Sequence, residues 1–306
     1  MTGLELSHQF WVNIGKPRLQ MQLPDVLKCA AVGLVGEGSD CFGYDDEISR
    51  DHDWGPGFCL WLTEEDWGKW GDALRRFYSG LPTEYLGWTR QHVLPQTAGR
   101  VGPSTVEGFF TRYIGMARRP ESIREWRFIP ESGLYVVTNG KVFQDPTGRF
   151  TEIREALLAY YPEELRKKKL ARHCALAGQS GQYNYSRCLS HGEPAAAEIA
   201  LGEFLQHIHA AVFLLNRRYR PYYKWADRAM RTLPRLGPAL SPLLRRLALE
   251  PAFRPEGIEQ VSAMVIEELR RQDLSASPDD FLLTHGEAIQ ATITDDLLRK
   301  LPLMAE

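Results

Sequence analysis

Cysteine is sparse in this chain: the five residues Cys29, Cys41, Cys59, Cys174 and Cys188 are odd in number, widely spaced and never form a Cys-x-x-Cys pair. That excludes a disulfide framework and a cysteine zinc site and leaves buried free thiols as the expectation. No stretch approaches the roughly 20 consecutive apolar residues that span a bilayer, and Met1–Ser7 has neither the basic nor the apolar region of a signal peptide. No amphipathic basic helix argues for membrane attachment, so a cytoplasmic location without a membrane partner is expected. Positive charge is not in excess either. With 37 Lys and Arg against 39 Asp and Glu, the formal net charge is −2, which argues against a nucleic-acid coat while leaving room for a local basic groove. What is there is ordinary for a globular chain: 306 residues, 43% hydrophobic and 25% charged, enough for two domains that each bury a core.

The densest chemical signal is Gly36-Glu37-Gly38-Ser39, followed after eleven residues by Asp51-His52-Asp53. The apolar run Ala30–Val35 before it predicts a short buried strand that delivers Gly38 and Ser39 at its end. There, backbone N–H groups can face an anion, glycine allows close approach and the serine hydroxyl adds a donor. If Asp51–Leu62 is a second strand, Asp51 and Asp53 share one face and His52 takes the other. Two carboxylates on one edge suit a hard cation such as Mg²⁺, which keeps part of its shell for water and phosphate oxygens. Gly38-Ser39-Asp40 also fits an ordinary turn, Asp45-Asp46-Glu47 reads as a solvated acidic loop or a helix first turn, and His52 reads as a core histidine.

Gly38-Ser39 with Asp51-x-Asp53 resembles the signature of the nucleotidyltransferase superfamily that includes DNA polymerase beta and kanamycin nucleotidyltransferase. The longer stretches Gly38–Asp40, Phe42–Glu47 and Ser49–Pro56, with Gly181-Gln182-Tyr183-Asn184-Tyr185-x-Arg187 and Tyr222-Tyr223-Lys224-Trp225, resemble an uncharacterised bacterial branch of predicted nucleotidyltransferases. The resemblance implies an α+β domain, with a nucleotidyltransferase-like mixed sheet and flanking helices, followed by an all-α helical domain. It also implies two Mg²⁺ ions on Asp51 and Asp53, and outer phosphates gripped by Gly38 and Ser39. Members of the superfamily carry a third carboxylate on a later strand. Here Glu107 and Glu131 are the candidates, and Glu107 is taken as the third catalytic residue. Gly43 interrupts the segment where a short helix is usual.

Along the chain, residues 2–15 and 24–30 read as short helices. Thr63 caps an acidic helix start, with Trp67, Trp70, Leu74 and Phe77 as its apolar stripe. Residues 81–105 read as loop with one strand before a helix near Thr105, whose buried face is Val106, Phe109, Phe110, Tyr113 and Ile114. Leu134–Val137 and Lys141–Phe143 around Thr138-Asn139-Gly140 read as a hairpin, closed by a turn at Asp145–Gly148. From Thr151 the pattern is helical, with breaks expected at Gly178–Gly181, Pro221, Pro234–Pro242 and Pro251–Pro255. The domains are set at 1–158 and 159–306.

In the helical half, Arg166, Lys167, Lys168, Lys169 and Arg172 read as a solvated helix face whose stems cover apolar neighbours, with phosphate neutralisation as the alternative. Lys224, between aromatics after Pro221, is a candidate phosphate contact in a cleft between the domains. Gln182, Asn184 and Arg187 either cap helix ends or recognise substrate. The expected activity is transfer of a nucleoside monophosphate, most simply AMP from ATP, to a hydroxyl of a small-molecule or protein acceptor. The absence of a long basic tract disfavours a nucleic-acid acceptor. The alternatives are a non-catalytic nucleotide sensor and an interaction module of a toxin–antitoxin-like pair.

Overall fold

The computed structural model describes residues 1–50, 54–90 and 99–305. The chain divides into two compact units, Met1–Glu121 with Gly133–Ala159, and Ser122–Ser132 with Tyr160–Glu306. The first mixes strands and helices; the second is helical.

The first unit opens with a capping box. The Thr2 hydroxyl accepts from Glu5 N and the Glu5 carboxylate accepts from Thr2 N, starting α1 (Gly3–Phe10). The helix widens into a π turn at Trp11–Gly15 and runs on as α2 (Lys16–Gln22), because Pro17 has no N–H for the regular ladder. The expected helix over 24–30 is a single 3₁₀ turn, Val26–Lys28.

Next come β1 (Ala31–Leu34), the one-turn α3 (Ser39–Phe42), β2 (Cys59–Leu62), α4 (Glu64–Ser79), a two-residue hairpin of β3 (Glu84–Tyr85) and β4 (Trp88–Thr89), β5 (Gly102–Thr105) and α5 (Val106–Ile114). After α6 (Ile123–Phe128) of the second unit, the first unit resumes within α7 (Glu131–Thr138) and closes with β6 (Lys141–Gln144) and α8 (Arg149–Leu158). The main sheet has the order β5-β2-β1-β6. It is mixed: β1 is antiparallel to β2 and β6, while β2 is parallel to β5. Val32, Leu60 and Leu62 bury one face against Phe10, Leu19, Leu74 and Phe77 of α1, α2 and α4. On the other face Trp61 stacks on Phe150 of α8 at 4.2 Å and meets Phe109 of α5 at 5.3 Å.

The expected Thr63 cap is in place, and the helix expected near Thr105 begins there with Thr105 as its cap. Thr63 accepts from Asp66 N and Thr105 from Gly108 N, and Leu74, Phe77, Val106, Phe110 and Ile114 are buried. The expected hairpin is not. Residues 131–138 form α7, and β6 pairs with β1 instead. The buried residues of α7 are Gly133, Leu134, Val136 and Val137, a helical spacing rather than an alternation. Asn139-Gly140 is the helix stop, with Gly140 at φ +58° and its N–H donated to Cys41 O. The long second strand is also shorter than expected: it covers Cys59–Leu62, and Trp54–Phe58 are not strand. The Asp145–Gly148 turn is present, Gly148 N donating to Asp145 O.

In the second unit α9 (Glu163–Ala177) packs between α11 (Pro194–Leu215) and α15 (Leu282–Ala291). Gly178–Gly181 does not break the chain: α9 continues as a π segment, Gly178–Tyr185, into α10 (Ser186–Ser190). The remaining helices are α12 (Tyr223–Met230), α13 (Gly237–Leu249), which contains Pro242, α14 (Arg254–Arg271) and α16 (Asp296–Lys300). Although no uninterrupted apolar run is present, α11 has the length and mean apolarity to cross a membrane, but 56% of its apolar window is buried inside the fold. Three of the basic residues expected on a solvated face are inside: Arg166, Lys168 and Lys169 are buried. Lys168 Nζ donates to Gln290 Oε1 and to the carbonyls of Pro302 and Leu303 at 2.8–2.9 Å, which compensates its burial.

Candidate functional site

β1 ends against a turn that is held at several points. The Asn139 side-chain amide donates to Gly36 O at 2.6 Å and accepts from Gly36 N at 3.1 Å, replacing a strand pair where β6 has not yet begun. Gly140 N binds Cys41 O at 3.0 Å. Arg100, just before β5, donates bidentately to Asp40, Nη1 to Oδ1 at 2.7 Å and Nη2 to Oδ2 at 3.1 Å. Both side chains are less than a tenth exposed, 8% and 4%. Cys59 Sγ donates to Arg100 O at 3.3 Å, tying the same residue to the start of β2. Gly38 is extended at φ −71°, ψ 149°. A Cβ there would lie 1.9 Å from Arg100 Nη1 and 2.1 Å from Asp40 Oδ1, so the guanidinium occupies the space that any side chain would need.

Among the described residues, no protein acceptor takes the N–H groups of Glu37, Gly38, Ser39 or Asp40, or the Ser39 hydroxyl. A rigid turn with unclaimed donors can take an anion. Glu37 is drawn aside: its Oε2 accepts from Tyr113 Oη at 3.3 Å and lies 3.6 Å from Arg112 Nη2. Two buried thiols, Cys41 and Cys59, lie beside the turn. Burial pushes Cys41 well above the ordinary thiol range, and it drives Cys59 up to about 12.

Asp51, His52 and Asp53 lie outside the described residues, as does their part of the expected strand. Their two chain neighbours are anchored. Arg50 donates to Met1 O at 3.1 Å and sits over the rings of Trp54 and Trp88 at 4.8 and 5.3 Å. Asp45, expected in a solvated loop, has a buried side chain that accepts from Gly3 N at 2.6 Å and Trp54 Nε1 at 3.0 Å. Among the described residues, no group of three or more His, Cys, Asp and Glu could hold a metal ion.

Glu107 is not brought to this turn. Gly33, Cys59 and Gly102 are paired neighbours at the sheet end where β1 runs out, whereas Thr105 pairs with Leu62 at the other. Glu107 follows at that far end, roughly 13 Å along the strand direction, where its Oε2 accepts from Glu64 N at 3.1 Å. Glu131 accepts from Arg220 N at 3.2 Å in the second unit.

Of the remaining candidates, Lys224 is exposed, with Nζ 5.1 Å from the Trp225 ring. Arg187 is exposed and lies over Tyr183 at 5.0 Å. Gln182 is consumed structurally, donating to Glu259 Oε2 and Asp280 O and accepting from Leu282 N, all at 2.8 Å. Asn184 is half-buried on the π segment. Asp40 and Asn139 stand in local motifs, Gly38-Ser39-Asp40 and Asn139-Gly140, but nothing local marks Arg100, whose contact with Asp40 spans sixty positions.

A family model described as a domain of unknown function, DUF4037, matches residues 126–226. That stretch includes Gln182, Asn184, Arg187 and Lys224 but not the turn at Gly38. No curated protein and no solved structure matches the chain.

Proposed function

We propose that this chain is a Mg²⁺-dependent nucleotidyltransferase that moves a nucleoside monophosphate, most simply AMP from ATP, to a hydroxyl of a small-molecule or protein acceptor. The observation that supports it best is the clamped turn at the end of β1, where Gly38 and Ser39 keep unclaimed donors, suited to β- and γ-phosphate oxygens. Asp51 and Asp53 would hold the metal, since a carboxylate pair matches the oxygen preference of Mg²⁺. A divalent ion bound there supplies charge neutralisation for the leaving pyrophosphate. In the reaction the acceptor oxygen bonds to the α-phosphorus, the bond from the α-phosphorus to its bridging oxygen breaks, pyrophosphate leaves, and the hydroxyl proton passes to a base or to water.

A second reading, nucleotide binding without transfer, is favoured by a specific observation. No Asp or Glu occurs between Glu84 and Glu107, so β5 and its approach offer no third carboxylate. At the site end of β5 stands Arg100.

The test incubates the purified chain with Mg²⁺, each α-labelled nucleoside triphosphate and a pool of hydroxyl-bearing acceptors, and scores label transfer with pyrophosphate. Transfer that disappears in an Asp51→Ala/Asp53→Ala variant supports the enzyme. Metal-dependent binding without pyrophosphate supports the sensor, and neither binding nor release sinks both in favour of the interaction module.

A further inference from the structure

We infer that Arg100 is the positioning residue for the phosphate-binding turn, acting through Asp40 to set the donors of Gly38 and Ser39; this rests on the nucleotide reading above. The guanidinium reaches Asp40 with two parallel hydrogen bonds at 2.7 and 3.1 Å. Its backbone carbonyl accepts from Cys59 at 3.3 Å, and Gly102 N, two residues on, donates to Phe58 O at 2.9 Å. Arg100 therefore belongs mechanically to β2 and β5, while Asp40 belongs to the turn after β1. The fork between them transmits the sheet's rigidity to the four residues whose N–H groups stay unclaimed. Asp40 Oδ1 also accepts from Cys41 N at 2.8 Å, which fixes the carboxylate from its own side.

Electrostatics point the same way. A carboxylate immediately after Ser39 would repel a triphosphate if left unpaired. Arg100 takes both of its oxygens and neutralises it. Lysine cannot reproduce a planar two-point contact, so charge alone does not replace the fork. Arg100 touches no reacting atom in this account; it sets the geometry of the residues that do.

The experiment measures Mg·ATP and adenosine dissociation constants for the wild type, Arg100→Lys and Asp40→Asn, each checked for a cooperative melting transition. Both variants should bind Mg·ATP about tenfold to a hundredfold more weakly while adenosine affinity stays within about twofold, since adenosine has no phosphate for the turn to receive. A purely structural role would weaken both ligands together. Variants that bind Mg·ATP like the wild type, or lose both ligands equally, overturn the inference and leave the nucleotide reading intact. A wild type that binds no triphosphate overturns both. Wild-type hydrogen exchange tests the geometry without any substitution: Mg·ATP should slow exchange at Gly38–Asp40, and unchanged exchange there with ligand bound overturns the inference.

Discussion

Asn139 shows how much one side chain does in this fold. Its amide makes two hydrogen bonds to Gly36, standing in for backbone at the point where β1 leaves the sheet. Asn139→Ala leaves the Gly36 N–H and C=O without that partner and should destabilise the protein by about 1–3 kcal/mol in urea unfolding; a change below about 0.5 kcal/mol would mean that water replaces the amide fully. A second residue-scale device is the histidine pair of the second unit, His173 Nδ1 to His207 Nδ1 at 3.0 Å. One ring donates and the other accepts, so the accepting ring is neutral, and burial disfavours a charge on either. Burial holds His173 well below its ordinary value, with His207, Arg172, Arg220 and Lys169 adding to it. Burial, then Arg172 and Arg220, lowers His207 to about 4. The unfolded chain titrates these rings near pH 6.5, so it binds protons that the native state refuses. The pair's contribution to stability is complete above about pH 6.5 and is lost as pH falls toward about 4. Unfolding free energies at about pH 7 and about pH 5 should therefore differ more in the wild type than in a His173→Gln/His207→Gln variant. Equal differences would contradict a neutral pair.

At the scale of elements, local chemistry was legible and long-range chemistry was not. Thr63 caps its helix as the acidic residues after it imply, and the helix expected near Thr105 starts there, with Thr105 itself as the cap. α7 was missed because Asn139-Gly140 suits both a hairpin turn and a helix stop, and the buried positions Leu134, Val136 and Val137 decide for the helix. Gly178–Gly181 suggests a break because glycine is a poor helix former. Its glycines serve contact instead: a Cβ on Gly181 would sit 2.3 Å from the Phe204 ring of α11. Gly181→Ala should cost about 1–3 kcal/mol through overpacking, despite alanine's higher helix propensity. A stabilising effect in thermal unfolding would show that α11 gives way. The burial of Lys168 is not visible in the local pattern for a related reason, since its acceptors lie more than a hundred residues away in sequence.

For the whole molecule, strands in the first half and helices from Thr151 on were legible from apolar runs and periodicity, and the resemblance implied the α+β-then-helical order, whereas the segment Ser122–Ser132, which belongs with the later helices, was not legible. The glycine and serine of the candidate site were visible as a motif after an apolar strand. What makes that turn rigid, Arg100 and Asn139, arrives from distant segments. The family match over residues 126–226 falls outside the turn, so the proposed chemistry draws its support from the turn and the Asp51-x-Asp53 motif. The most direct measurement is equilibrium binding of labelled ATP, with and without Mg²⁺, to the wild type and to the Asp51→Ala/Asp53→Ala variant. Saturable binding that requires Mg²⁺ and is lost in the variant is the expected result. Failure to bind, or binding indifferent to both the metal and the two carboxylates, would contradict it.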